Sequence, residues 1–210
     1  RNTCEKTIKV VDCVLHNQIN RGLVEMAREA GGNAIGLSGK DILCAQKMLS
    51  TDPVSGEKID IGFVGDITKV NAEPILAALD KGQIPVITPL GRGEDGCVFN
   101  INADIAACRI AEAIHARKLV FLSDVPGILR NPSDESSVIP TIVTTQIQQL
   151  IKDKVLSGGM LPKIMSSVRA LEDGINKVHM IDGRVKHTLL LEIFTDHGVG
   201  TEIIRPDSII

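Results

Sequence analysis

The feature that most narrows the folds open to this chain is a rhythm. Short apolar runs at 33–38, 84–87, 118–122 and 178–181 alternate with stretches whose apolar residues recur at helical spacing. Helices are predicted over 3–15, with Ile8, Val11 and Leu15 on one face, and from an Asn20 cap through Leu23, Val24 and Ala27 to Gly31-Gly32. Further helices are predicted from an Asn71 cap to Gly82, over 104–115 and 147–155, from Gly158-Gly159 to Gly174, and over 189–194. The stretch 45–63 reads instead as a β-hairpin turned at Asp52-Pro53 and Ser55-Gly56, 97–101 reads as extended, and a final segment around 201–204 closes the chain. Strands joined through helices imply parallel βαβ crossovers and a largely parallel sheet covered on both faces. In such sheets ligands bind beyond the carboxyl ends of the strands. Polar or glycine-rich residues stand at those ends here: Ser38-Gly39, Ser123-Asp124 and Asp182-Gly183.

Composition removes several functional classes. With no Trp, no Tyr and four Phe in 210 residues, the core has to be aliphatic, and no aromatic platform exists for stacking single-stranded nucleic acid. A net charge of −3 with no dense Lys/Arg run gives no footprint for duplex DNA or an anionic membrane. No apolar run is long enough for a membrane span. Five unclustered cysteines fit reduced thiols better than a disulfide frame or a zinc site, so a cytoplasmic protein is expected.

Two stretches carry the candidate chemistry. In Phe99-Asn100-Ile101-Asn102-Ala103-Asp104 a polar cluster stands at the entrance of a small-residue helix. Asn102 or Asp104 could cap that helix, or the cluster could bind a ligand. In Gly158-Gly159-Met160-Leu161-Pro162-Lys163 bare amides precede a helix whose dipole attracts an anion. Lys163 opposes that dipole, and is either a solvated lysine or a cation aimed at a phosphoryl group. Asp124, after the strand at 118–122, reads equally as a turn cap or as a nucleotide-pocket residue. His179, His187, Glu192, His197 and Gly198 form a last polar group, readable as a helix surface. Neither a dinucleotide glycine fingerprint nor a Walker loop is present, and no His/Cys cluster has metal spacing.

Taken in order, Gly36-Leu37-Ser38-Gly39-Lys40-Asp41, Gly62-Phe63-Val64-Gly65, Asn100-Ile101-Asn102-Ala103-Asp104, Leu122-Ser123-Asp124-Val125-Pro126-Gly127-Ile128-Leu129, Gly158-Gly159-Met160-Leu161-Pro162-Lys163 and Asp182-Gly183-Arg184 resemble the amino acid kinase superfamily. Within it they resemble the acetylglutamate kinase family. The resemblance implies an α/β fold, a three-layer α/β/α sandwich with a largely parallel central sheet. It implies an amino-acid lobe at 1–116 and a nucleotide lobe at 117–210. It implies phosphorylation of the side-chain carboxylate of N-acetyl-L-glutamate by ATP with Mg²⁺, in arginine biosynthesis. By the same resemblance Lys163 and Asp104 are catalytic, and Arg1 and Asn100 hold the acetylglutamate. Asp124, Val125, Pro126, Gly127, Ile128, Leu129, Val155, Leu156 and Ser157 would border the nucleotide. His179, Glu192 and Gly198 match an L-arginine effector site. No metal ligand is named, a homo-oligomer is expected, and some relatives bind a PII signalling protein. The family's first strands and Gly-rich loops, with a second catalytic lysine, would precede Arg1, so a fragment that is catalytically poor alone is expected. The competing readings are another amino acid kinase (a glutamate 5-kinase, carbamate kinase or aspartokinase), a non-catalytic arginine-binding module and, more distantly, a dinucleotide-dependent oxidoreductase.

Overall fold

The computed structural model describes residues 2–52, 55–195 and 198–208. The chain divides into two compact units, Arg1–Ile114 and His115–Ile210.

The first unit opens with helix α1 (Glu5–Cys13), which runs into a π-helical segment (Val14–Asn20) and on into α2 (Arg21–Glu29). Strand β1 (Ala34–Leu37), the long pair β2 (Leu43–Thr51) and β3 (Lys58–Val70), and helix α3 (Glu73–Asp80) follow. Then come β4 (Ile84–Ile87), β5 (Leu90–Arg92), β6 (Val98–Asn100) and α4 (Ala103–Ala113). Strands β1 and β4 pair in parallel, from Ala34 opposite Ile84 to Leu37 opposite Ile87.

The predicted hairpin is longer than expected and does more than protrude. Register shifts between Cys44 and Ala45 and between Lys47 and Leu49 bend the β2–β3 ribbon, as bulges do. The bent ribbon closes with β5 and β6 into a four-stranded barrel. The barrel, α3 and α4 share a core of Ile42, Leu43, Ile67, Ile75, Phe99, Ile101 and Ala106. Phe63 and Phe99 add one tilted ring pair, their centroids 6.4 Å apart.

The long entry helix departs from its sequence reading at Asn20. A cap was expected there, but Asn20 is helical, with φ −59°, and makes no cap bond. It is buried, and its side-chain amide donates to the Val86 carbonyl on β4 at 2.8 Å. The extra residue of a π turn rotates the helix faces beyond it. Accordingly Val24 is buried as expected, whereas Leu23 is 50% exposed and Ala27 only half-buried.

The second unit contains β7 (Lys118–Ser123), β8 (Thr141–Val143), α5 (Ile147–Lys152), α6 (Met160–Glu172), β9 (Lys177–Asp182), α7 (Thr188–Phe194) and β10 (Thr201–Ile204). Its sheet order is β7-β9-β10-β8. β7 runs parallel to β9 and β10 parallel to β8, while β9 and β10 are antiparallel. β9 is buried on both faces from Val178 to Asp182, as expected of a strand covered by helices. Ile164, Leu171, Val178, Ile181 and Ile203 are essentially inaccessible and form the centre of this core.

Candidate functional site

In the first unit the polar cluster resolves into separate roles. Asn102 is the cap of α4: its Oδ1 accepts from the Asp104 amide at 2.9 Å and the Ile105 amide at 3.2 Å. The side chains of Asn100 and Asp104 are not the cap. Both line a cavity of about 650 Å³ whose far wall is Val10, Val11, Val14 and Leu15, at the junction of α1 and the π segment. The Asn100 amide also reaches the Thr3 hydroxyl, at a long 3.4 Å. Thr3 in turn is locked beside β3, donating to the Ile61 carbonyl and accepting from the Phe63 amide. This is an apolar-walled cleft with a few convergent polar groups at a helix N-terminus, the usual build of a small-anion pocket. Arg1, the expected carboxylate grip, lies outside the described residues. The valine wall was not foreseen, because a π turn has no distinct spacing signature in sequence.

In the second unit Gly158 takes φ +58° and Gly159 precedes α6. A side chain built on either glycine would meet nothing within 4 Å, so the turn faces open space. Pro162 occupies the third helical position, where its missing N–H costs no hydrogen bond. The Lys163 ammonium lies 5.3 Å from the centroid of the Phe121 ring, within cation–π range. A half-buried cation is thereby held near the amide end of a thirteen-residue helix.

The expected nucleotide-bordering residues divide into two groups. Asp124 and Ser157 are exposed, and Val125, Pro126, Leu129 and Val155 are half-buried. Ile128 and Leu156, by contrast, are core side chains, 0% and 1% exposed. Any contact these two make with a ligand would come from their backbone. Gly127 and Ile128 are fixed to β10, the Ile128 amide donating to the Thr201 hydroxyl at 2.8 Å.

His179, Glu192 and Gly198, far apart in sequence, come together. His179 Nδ1 and Glu192 Oε1 are 2.7 Å apart, and both residues are buried. The other Glu192 oxygen accepts from the amides of Val199 and Gly200 at 2.7 and 3.1 Å. Burial pushes the Glu192 carboxyl up, but the Val199 amide, His179 and the Gly200 amide together outweigh it and hold the group below its ordinary value. Gly198 has φ +59°, and a Cβ there would stand 2.7 Å from Glu192 Oε2, so only glycine fits without a shift. These residues line a cavity of about 360 Å³ with Lys118, Lys177, Thr141 and Glu202. Within it His179 Nε2 is buried without a hydrogen-bond partner among the described residues. Glu202 is braced by Lys177 at 3.0 Å and by the Thr141 hydroxyl at 3.1 Å. Lys177 stands two residues before His179 on β9, and Glu202 pairs with His179 across the strands. Alternation along β9 could have flagged Lys177; Glu202 depends on a register that sequence does not display. His197 lies outside the described residues.

The family model for the amino acid kinase family matches residues 1–182. The chain belongs to the amino acid kinase family. It is 46% identical over 205 residues to the acetylglutamate kinase of Carboxydothermus hydrogenoformans, covering 96% of this chain and 70% of that protein. It is also 46% identical to the acetylglutamate kinase of Caldanaerobacter subterraneus subsp. tengcongensis, covering 97% and 66%. The chain therefore spans about two thirds of the length of these relatives. Among solved structures, N-acetylglutamate synthase from Neisseria gonorrhoeae, complexed with coenzyme A and L-arginine, is similar. It superposes with a TM-score of 0.77 at 28% identity, covering 98% of this chain and 47% of that one.

Proposed function

We propose that this chain carries the chemistry of an acetylglutamate kinase: transfer of the γ-phosphoryl group of ATP to the side-chain carboxylate of N-acetyl-L-glutamate. The single observation that supports it most is Lys163, a cation fixed over Phe121 beside the open Gly158-Gly159 turn. In an in-line transfer a carboxylate oxygen bonds to phosphorus as the bond to the β-phosphate oxygen breaks. The products are an acyl phosphate and ADP. Neither nucleophile nor leaving group needs a proton moved, so the protein's task is to place positive charge and amide dipoles around the transferring group. Lys163, beside the open Gly158-Gly159 turn, suits that task. Asn100 and Asp104, in the 650 Å³ cavity, suit the amino-acid substrate and the positioning of the catalytic cations.

On this reading residues 1–116 bind the amino acid and 117–210 the nucleotide. Among the described residues no group of three or more His, Cys, Asp or Glu could hold a metal ion. On this reading a Mg²⁺ ion arrives on the nucleotide's phosphates, where it neutralises charge, with few ligands from the protein. The pocket of His179, Glu192 and Gly198 fits L-arginine as a regulatory ligand: the Glu202 carboxylate, an imidazole nitrogen with no partner among the described residues and the lysines Lys118 and Lys177 offer partners for both ends of a dipolar amino acid.

The test is ATP-dependent acyl phosphate formation, trapped with hydroxylamine, over a panel of N-acetylglutamate, glutamate, aspartate and carbamate. Turnover restricted to N-acetylglutamate is expected. Turnover of another acceptor would assign a different amino acid kinase, and arginine binding without any turnover would favour a sensor.

A further inference from the structure

The motif Asp182-Gly183-Arg184 has no part in the proposal above, yet it stands where a parallel sheet receives ligands. β7 and β9 run in register from Lys118 opposite Lys177 to Ser123 opposite Asp182, so both strands end at one edge. The Gly183 amide extends that ladder by one step, donating to the Ser123 carbonyl at 2.8 Å. A Cβ at Gly183 would lie 3.4 Å from both Leu122 Cβ and Ser123 O, at ordinary contact distance from the end of β7.

At that edge Asp182 is 7% exposed and wholly engaged by one residue. Its Oδ1 accepts from the Arg184 amide and from Arg184 Nε, each at 2.9 Å, and its Oδ2 accepts from Nη2 at 2.7 Å. The Arg184 guanidinium holds the Asp182 carboxyl below the usual carboxylate range, and Asp182 raises the guanidinium further still. A guanidinium clamped through Nε and Nη2 has lost its rotamer freedom before any ligand arrives. Its outer side remains accessible: the Arg184 side chain is 55% exposed, and Nη1 makes no hydrogen bond among the described residues.

A second carboxylate, Glu135, stands 3.7 Å from Nη2 and is 74% exposed. That is well beyond the 2.7–2.9 Å or so of a charge-assisted hydrogen bond, so it is a loose neighbour that an anion can displace. Asp124, from the segment expected to border the nucleotide, lies close enough to act on Arg184 by charge. Asp182 thus both closes the local turn through the Arg184 amide and holds the guanidinium facing outward.

We propose that Arg184, oriented by Asp182, receives a phosphate oxygen of the nucleotide at the carboxyl edge of β7 and β9. This rests on the nucleotide-binding reading of residues 117–210. Asp182 is a positioning residue, and Glu135 competes for the same guanidinium.

The experiment is calorimetric titration of the full chain with MgADP, adenosine and inorganic phosphate, for wild type, Arg184→Gln, Asp182→Asn and Glu135→Gln, each checked by thermal melting. Arg184→Gln should weaken MgADP about tenfold, the effect of losing a charged hydrogen bond, and leave adenosine unchanged. Asp182→Asn should raise the KM for ATP without raising that for N-acetylglutamate. Glu135→Gln, a surface change that folds independently of the clamp, should tighten MgADP. Equal MgADP affinity in wild type and Arg184→Gln overturns the proposal, as does an equal loss for adenosine. Arg184-dependent binding of inorganic phosphate that MgADP does not displace would assign a free-anion site instead. Failure of the wild type to bind MgADP would overturn the nucleotide reading itself, and this inference with it.

Discussion

The two candidate ligand sites, one in each unit, differ in how finished they are. The cavity beside Asn100 and Asp104 is large, about 650 Å³, and walled by valine and leucine side chains from α1 and the π segment. The pocket around His179 is about half that size, 360 Å³, and lined mainly by charged and polar groups. In the second pocket each Glu192 oxygen is spoken for, and Gly198 gives the carboxylate its room. The first cavity has its cap bonds made by Asn102, while the Asn100 side chain, among the described residues, makes one long bond to the Thr3 hydroxyl. A site that must let substrate in and product out gains from loose polar groups on a rigid frame. One that senses a single small ligand gains from a fully determined shape.

The comparison is sharpened most by Lys163→Ala. It should lower acyl phosphate formation by about a hundredfold or more, since positioned charge supplies most of the catalysis. Arginine binding and the thermal midpoint should stay near wild type, as calorimetry and melting would report. A fall in arginine affinity as well would mean that the transfer site and the pocket share one construction.

Gly198→Ala comes next. Its φ of +59° and the 2.7 Å approach of Glu192 Oε2 predict destabilisation of about 1–2 kcal/mol, measured by urea unfolding, with loss of arginine affinity. Asn102→Ala should cost about 1 kcal/mol through the lost cap, and Asn102→Asp should retain it.

The effect of pH is smaller and has a definite sign. The Glu192 carboxyl is held below its ordinary value of 4.5, so it contributes stability that is fully present above that pH. As pH falls below 4.5 toward the folded-state value, that contribution is lost. Melting curves should therefore show the midpoint dropping in acid, and Glu192→Gln should flatten that drop.

Much of this architecture can be read from the chain by eye, for identifiable reasons. The strands at β1, β4, β7 and β9 are short, apolar and bounded by glycine or polar residues, so they declare themselves. The barrel does not, because closure depends on bulges within β2 and β3 and on single pairings with β5 and β6. Asn20 looks like a cap by residue type, and only its tertiary bond to Val86 makes it a buried anchor. Ile128 and Leu156 lie within motif stretches and are nonetheless core residues, since a motif marks backbone as well as side chains. The resemblance names Asn100, Asp104, His179, Glu192 and Gly198, and the structure places the first two on one cavity and the other three on another. Glu202 and the clamp of Arg184 by Asp182 follow from register and reach, which spacing does not encode.

The measurement that bears most directly on the account is the rate of acetylglutamyl hydroxamate formation against arginine concentration, for wild type, Lys163→Ala and His179→Ala. The account predicts an arginine-inhibited wild type, a nearly inactive Lys163→Ala that still binds arginine, and a His179→Ala that turns over but no longer responds to it. Full activity in Lys163→Ala, or undiminished inhibition in His179→Ala, would contradict it.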